Sequence, residues 1–200
     1  MSNINYAAKK LSLRIVYVGP GVGGKTTNLR TLHSLAGQRA LGDVKDLSTV
    51  GDRTLFFDLL PLDGGTWEGL SVIDKLHTVP GQVFYQSVQA QVLRGVDAIV
   101  FVADSSAQRL DANICSMRDV YDIMAAQRPS RPIKPDFPFV VQYNKRDVPD
   151  AMPLKELESA LNPWGFPFVE AVAIDGTGVQ ETFDIAHKLA LQAHINRSRG

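Results

Sequence analysis

The stretch Gly19-Pro20-Gly21-Val22-Gly23-Gly24-Lys25-Thr26-Thr27 constrains this chain more than any other. It reads G-x-x-x-x-G-K-T, follows the apolar run at residues 13–18 and precedes a helix-like pattern. A buried strand, a glycine-rich turn and a helix start are the context that a phosphate-binding loop needs. The glycines at 19, 21, 23 and 24 let the backbone wrap around phosphates with its N–H groups turned inward. The helix N-terminus adds a partial positive charge behind them. Lys25 is placed to reach the terminal phosphates, the Thr26 hydroxyl to take a position on Mg²⁺, and Thr27 to complete the loop.

Alternation along the chain sets the fold class. Apolar runs at residues 13–18, 98–103 and 139–143 have no polar face, as in strands buried on both sides of a parallel sheet. Further strands are expected at 54–60, 70–79 and 168–173, with Asp63-Gly64-Gly65 as the turn of an antiparallel hairpin. Helical spacing places helices at 25–35 (Leu29, Leu32 and Leu35 on one side), from near Gln82, at 111–127, at 154–161 after Pro153, and at 178–196. Residues 37–52 read as a long loop, and loops of that length are usually functional or disordered. The expectation is one α/β domain over residues 1–200, a mostly parallel six-stranded sheet with one antiparallel edge hairpin and helices on both faces. Ligands then bind beyond the carboxyl ends of the strands, where the glycine-rich loop points.

Composition excludes several classes. The 21 basic and 21 acidic residues cancel, so there is no electrostatic footprint for nucleic acid or an anionic membrane. Neither a secretory leader, a membrane span nor a lipid-anchor motif is visible, which predicts a cytoplasmic protein with no direct membrane anchor. The one cysteine, Cys115, reads as a small buried hydrophobe, and Trp164 as a packing residue.

Asn144-Lys145-Arg146-Asp147 follows directly on a buried strand. A carboxylate at Asp147 can accept from N1–H and the 2-amino group of guanine, whereas adenine offers neither and would leave it unpaired. The Lys145 stem can cover the base. Glu170-Ala171-Val172-Ala173, ending the last strand, is the expected third wall, with the Ala173 N–H near the guanine O6. Thr54 opens a strand after the long loop, so its hydroxyl can meet Mg²⁺. Gly81 and Gln82 follow Pro80 at a helix start, the place to orient an attacking water, and Arg53 can swing onto a γ-phosphate from within the same chain.

Taken together, G-x-x-x-x-G-K-T, a threonine in the first loop, P-G-Q after the third strand and N-K-x-D resemble a small Ras-like GTPase. Ras-like chains usually carry D-x-x-G where this one reads Thr78-Val79-Pro80-Gly81-Gln82. That form, with Arg53-Thr54-Leu55-Phe56-Phe57-Asp58 before it and Asn144-Lys145-Arg146-Asp147 after, is similar to the bacterial MglA family, mutual gliding-motility GTPases that regulate cell polarity. The resemblance implies a GTP/GDP switch that holds Mg²⁺ and hydrolyses GTP slowly, with Arg53 as the finger. Its implied partners are a roadblock-fold MglB homodimer, acting as GAP with possible exchange activity, and polarity or motility effectors that recruit it to cell poles. It also implies that the strand from Leu55 shifts register between nucleotide states and that MglB docks beside it; the run 55–62 is apolar on both faces. A non-hydrolysing GTP-binding scaffold and another roadblock-associated Ras-like GTPase share these motifs and stay open. A P-loop kinase would leave Asn144–Asp147 unexplained. At Thr78 a neutral hydroxyl replaces the usual carboxylate, which Asp58 either supplies or, facing solvent on an edge strand, does not. Trp67, at the expected hairpin tip, reads as a loop-packing residue or an interface anchor.

Overall fold

A computed structural model of the chain describes residues 3–46, 58–79, 86–127 and 137–199. Within them one sheet carries β1 (Asn3–Asn5), β2 (Lys10–Val18), β3 (Lys45–Asp46), β4 (Asp58–Trp67), β5 (Leu70–Thr78), β6 (Ala98–Asp104), β7 (Phe139–Asn144) and β8 (Phe168–Glu170). Five helices accompany it: α1 (Lys25–Ala36), α2 (Gln86–Leu93), α3 (Leu110–Gln127), α4 (Leu154–Leu161) and α5 (Val179–Arg199). The spatial order is β3-β4-β5-β2-β6-β7-β8, with β1 on β2. Pairings β5–β2–β6–β7–β8 are parallel and β3–β4–β5 antiparallel, the mostly parallel sheet with an antiparallel edge that the alternation predicts. Two short strands join the expected six: β1 folds back on the start of β2, and β3 pairs with Asp58 and Leu59 out of the long loop.

Side-chain alternation on β2 divides the core into two layers. Leu11, Leu13, Ile15 and Tyr17 pack towards α1 and α5, against Leu29, Leu32, Phe183 and Ala186. Val16 and Val18 point the other way, where Met117, Val120, Leu157 and the aromatics Phe101 and Phe139 fill the layer under α2, α3 and α4. Every residue of β6 and β7 is buried, which is why those runs carry no polar face. Each fully buried Leu or Phe in these layers contributes roughly 1.5–3 kcal/mol, enough to fix the strand ends at which the site is built.

The hairpin turns at a different place from the one expected. β4 runs straight through Asp63-Gly64-Gly65, and the chain reverses at Glu68 and Gly69, both left-handed (φ 47° and 77°). Such a pair suits the tight turn that matches strand twist. The earlier glycines serve packing: a Cβ on Gly64 would lie 2.5 Å from Asp74 Oδ2 and 3.1 Å from His187 Cε1, so only glycine lets α5 approach. Gly65 N–H donates to Asp63 Oδ1 at 2.9 Å, and the pairing shifts between Asp63 and Thr66, a bulge and not a reversal. Trp67 ends β4 and packs edge-on against His194 of α5, with centroids 5.1 Å apart.

Other expectations are corrected locally. Leu35 is exposed and Ala36 takes the buried position on α1. Cys115 lies on the outer face of α3 and is exposed, because the buried row is Asn113, Met117, Val120 and Met124. Trp164 is 52% exposed. The last strand stops at Glu170, after which the backbone turns to bridge Val172 with Thr177.

Candidate nucleotide site

The loop after β2 is shaped by what surrounds it. Gly19 has φ +134°, and a Cβ there would lie 2.3 Å from the Val102 carbonyl of β6, so any side chain would part the two strands. Gly24 has φ +102°, and its Cβ would meet Asn144 Nδ2 at 2.2 Å. Gly21 and Gly23 lie between them, with Gly23 N–H donating to Pro20 O at 3.2 Å. Lys25, buried at the start of α1, bends back so that Nζ donates to the carbonyls of Gly19 (3.0 Å) and Pro20 (2.7 Å). Burial lowers its pKa to about 8, with the nearby Asp58 carboxylate opposing the shift. An anion brought to this ammonium offsets its desolvation, so the lysine is poised to gain from a phosphate.

Beneath the loop runs a buried polar chain. Asn28 Nδ2 donates to Gly24 O (3.0 Å), and Gln142 Nε2 donates to Asn28 Oδ1 and to Thr182 Oγ1, both at 2.9 Å. This ties α1, β7 and α5 to the loop; in a low-dielectric interior such a hydrogen-bonded series orients its members. Asn144, at the end of β7, makes two more buried bonds: Nδ2 to Gly23 O (2.8 Å) and Oδ1 from Ala173 N–H (2.9 Å). Asn144 thus fastens the phosphate loop to the segment after β8. The Ala173 N–H, expected to face a guanine oxygen, is directed to Asn144, and Ala173 contributes to the wall instead.

The two motifs meet in one cavity of about 320 Å³, lined among others by Gly24, Thr27, Asn144, Lys145, Asp147 and Ala173. Asp147 is exposed at its rim. Lys145 has a left-handed backbone (φ 63°) and its Nζ donates to Asp104 Oδ2 at 2.6 Å. Asp104, 2% exposed at the end of β6, was not foreseen from the sequence, nor was Arg109, which reaches Gly21 O at 2.7 Å and lies 3.8 Å from Asp104. A carboxylate ending a fully buried strand beside the ligand crevice was the available signal for Asp104, and a glutamine inside the apolar run 139–143 was the signal for Gln142.

A second polar cluster forms around Asp58, whose carboxylate lies close enough to Lys25 to act on its charge. Thr26 Oγ1 donates to Asp58 Oδ2 at 2.6 Å, Thr78 Oγ1 donates to the same oxygen at 3.0 Å, and Asp58 N–H donates back to Thr78 Oγ1 at 2.8 Å. Asp58 is therefore turned inward and 8% exposed, not facing solvent on the sheet edge. Its carboxylate with two hydroxyls forms an all-oxygen donor set next to the phosphate loop, which fits the hard Mg²⁺ ion. Thr78 holds Asp58 in place through two hydrogen bonds, so a carboxylate stands beside the neutral hydroxyl at 78. Arg53, Thr54, Gly81 and Gln82, like residues 55–57 of the strand expected to shift register, lie outside the described residues.

A glycine-rich loop at the carboxyl end of a parallel sheet, joined to N-K-x-D across one cavity, defines a Ras-like nucleotide-binding domain. Comparison with known proteins agrees. The mutual gliding-motility protein MglA of Myxococcus xanthus is 44% identical over 191 residues, covering 96% of each chain. The Ypt/Rab-type GTPase ypt7 of Schizosaccharomyces pombe is 29% identical over 188 residues, 92% of this chain and 84% of the relative. The Ras-related protein Rab7A of Mesembryanthemum crystallinum is 31% identical over 130 residues, 60% of each. No family model matches the chain. The chain belongs to the MglA family of Ras-like small GTPases. Among the described residues no helix is long and apolar enough to cross a membrane.

Proposed function

We propose that this chain is a guanine-nucleotide switch that binds GTP with Mg²⁺, hydrolyses it slowly to GDP and phosphate, and signals through the difference. The observation that carries this reading is the joining of the phosphate loop to Asn144, Lys145, Asp147 and Ala173 around one cavity, in a chain of the MglA family. The loop N–H groups and Lys25 grip the phosphates. Asp147 accepts from the guanine edge and Lys145 covers its face, while Asn144 holds both walls at a fixed separation. Thr26 and Thr54, with Asp58 beside them, would hold Mg²⁺, which screens the phosphate charge when bound.

Hydrolysis transfers the γ-phosphoryl group to water: an oxygen–phosphorus bond forms, the β–γ bridging bond breaks, and GDP leaves with the bridging oxygen. Gln82 orients the water and Arg53 stabilises charge as the bridge breaks; arginines used in this way contribute on the order of 10³–10⁵ in rate. We further propose that a roadblock-fold MglB homodimer accelerates the step by arranging Arg53 and Gln82, and that the GTP form engages polarity or motility effectors at the cell poles. The first support is the name of the Myxococcus relative, a gliding-motility protein.

The purified chain is expected to retain GDP and to exchange it for GTP but not ATP; tight ATP binding without guanine retention overturns the base assignment. Arg53→Ala is expected to leave GTP affinity near native and to slow phosphate release in single turnover, with and without the partner. Unchanged turnover rejects the finger.

A further inference from the structure

Four described non-glycine residues adopt left-handed backbone: Lys9, Val22, Glu68 and Lys145. Glu68 belongs to the β4–β5 turn and Lys9 to the bend between β1 and β2, where such geometry is ordinary. Val22 and Lys145 are different. Both line the nucleotide cavity, and Val22 is β-branched with φ 64°, a conformation its side chain disfavours. Val22 is also 86% exposed, so no packing of its own holds it there. Strained residues persist only where the surroundings over-determine them.

Two neighbouring side chains, Arg109 and Asp104, reach one of these positions each. Arg109, in the 3-10 turn Ala107–Arg109 before α3, donates from Nη2 to the Gly21 carbonyl at 2.7 Å. That carbonyl shares a planar trans peptide with the Val22 N–H, so fixing the oxygen outward turns this N–H to the opposite side. It is one of the loop donors that an anion would use. Arg109 Nε lies 3.8 Å from Asp104 Oδ2, the oxygen that also accepts from Lys145 Nζ at 2.6 Å. Asp104 is itself pinned: its N–H donates to Asn113 Oδ1 (3.0 Å), its carbonyl accepts from Asn113 Nδ2 (2.8 Å), and its Oδ1 accepts from Ser106 N–H (3.1 Å). A buried carboxylate on a rigid strand end thus anchors a strut reaching into both halves of the site.

We propose that Asp104 and Arg109 are positioning residues for nucleotide binding: Arg109 holds the strained Val22 peptide in its anion-binding orientation, and Asp104 fixes Arg109 and Lys145 together, coupling the phosphate loop to the base pocket. This deepens the guanine-nucleotide reading and rests on it. The coupling to strain separates this role from general support of the fold. If Arg109 maintains a backbone that valine resists, then glycine at 22, which adopts that backbone without penalty, makes Arg109 dispensable.

The test follows release of N-methylanthraniloyl-GDP from the full chain, chased with excess GDP in Mg²⁺. Arg109→Ala is expected to speed release about tenfold, the scale of one charge-assisted hydrogen bond. In a Val22→Gly background the same change is expected to alter release by less than about threefold. Arg109→Gln, which keeps an N–H donor for Gly21 O, is expected to recover most of the native rate, and Arg109→Met replaces Arg109→Ala if the latter does not fold. Unchanged release in the native background, or equal acceleration in both backgrounds, overturns the inference. If the native chain holds adenine instead of guanine nucleotide, the base assignment fails, and the Arg109–Val22 coupling is then read with the corresponding ADP probe.

Discussion

Asn144 is the residue whose removal the geometry makes most informative. Asn144→Ala deletes both of its buried bonds, leaving Gly23 O and the Ala173 N–H without the partners they have at 2.8 and 2.9 Å. A buried polar group stripped of its partner costs roughly 1–3 kcal/mol, so two cost about 4 kcal/mol if the cavity admits no water. Each kcal/mol shifts the melting temperature of a chain this size by roughly 2–4 °C, so a fall of about 8–16 °C is expected in the GDP-bound protein. Water reaching the cavity from its open side would reduce that fall, because a bridging water replaces most of a lost bond. Asn144→Asp sharpens the comparison. It keeps an acceptor for Ala173 N–H but turns an oxygen on the Gly23 carbonyl, so it is expected to be no better than alanine. Calorimetric melts with guanidinium titration measure both, and GDP release rates should rise in parallel. If Asn144→Ala melts within about 2 °C of the native chain, the tie between loop and wall is not what holds them together.

Two further outcomes follow from particular contacts. Asp58→Asn keeps an acceptor for Thr26 and Thr78 but removes the charge, and it is expected to weaken the Mg²⁺ dependence of GDP retention by about 10–100-fold, read by EDTA titration of release; an unchanged Mg²⁺ midpoint assigns the carboxylate elsewhere. Burial, with Arg14 and Lys75 adding to it, lowers the His77 pKa from 6.5 to about 4. The unfolded chain therefore takes up that proton first, and stability is lost as pH falls from 6.5 to 4, by about 3 kcal/mol at the lower end. His77→Asn should flatten the denaturation profile in that window, and an equally steep profile would exclude His77 as the cause.

Much of the fold was legible because its signals are local. Three apolar runs, the G-x-x-x-x-G-K-T box and N-K-x-D each depend on neighbours in the chain, and the structure brings the two motifs to one cavity. The misreadings share the opposite character. Asp63-Gly64-Gly65 has the composition of a turn, but Gly64 is demanded by Asp74 on the next strand and by His187, far along the chain on α5. Leu35 sits one position and Cys115 two positions away from the stripe that faces the sheet, and periodicity alone could not choose between such neighbours. Asp58 is polar at the start of an edge strand, a pattern that ordinarily means solvent; only Thr26 and Thr78 explain its burial. Asp104 and Arg109 carry no recognisable motif, because what they do is bridge two segments that are distant in sequence.

The sheet ends at β8 after three residues, with Pro167 before it, Glu170 paired to Arg146 at 2.9 Å, and a tight bridge between Val172 and Thr177 immediately beyond. So brief a border gives another chain almost no ladder to extend, and a charged side chain stands on what there is. Fibril-like stacking through this side is thereby disfavoured.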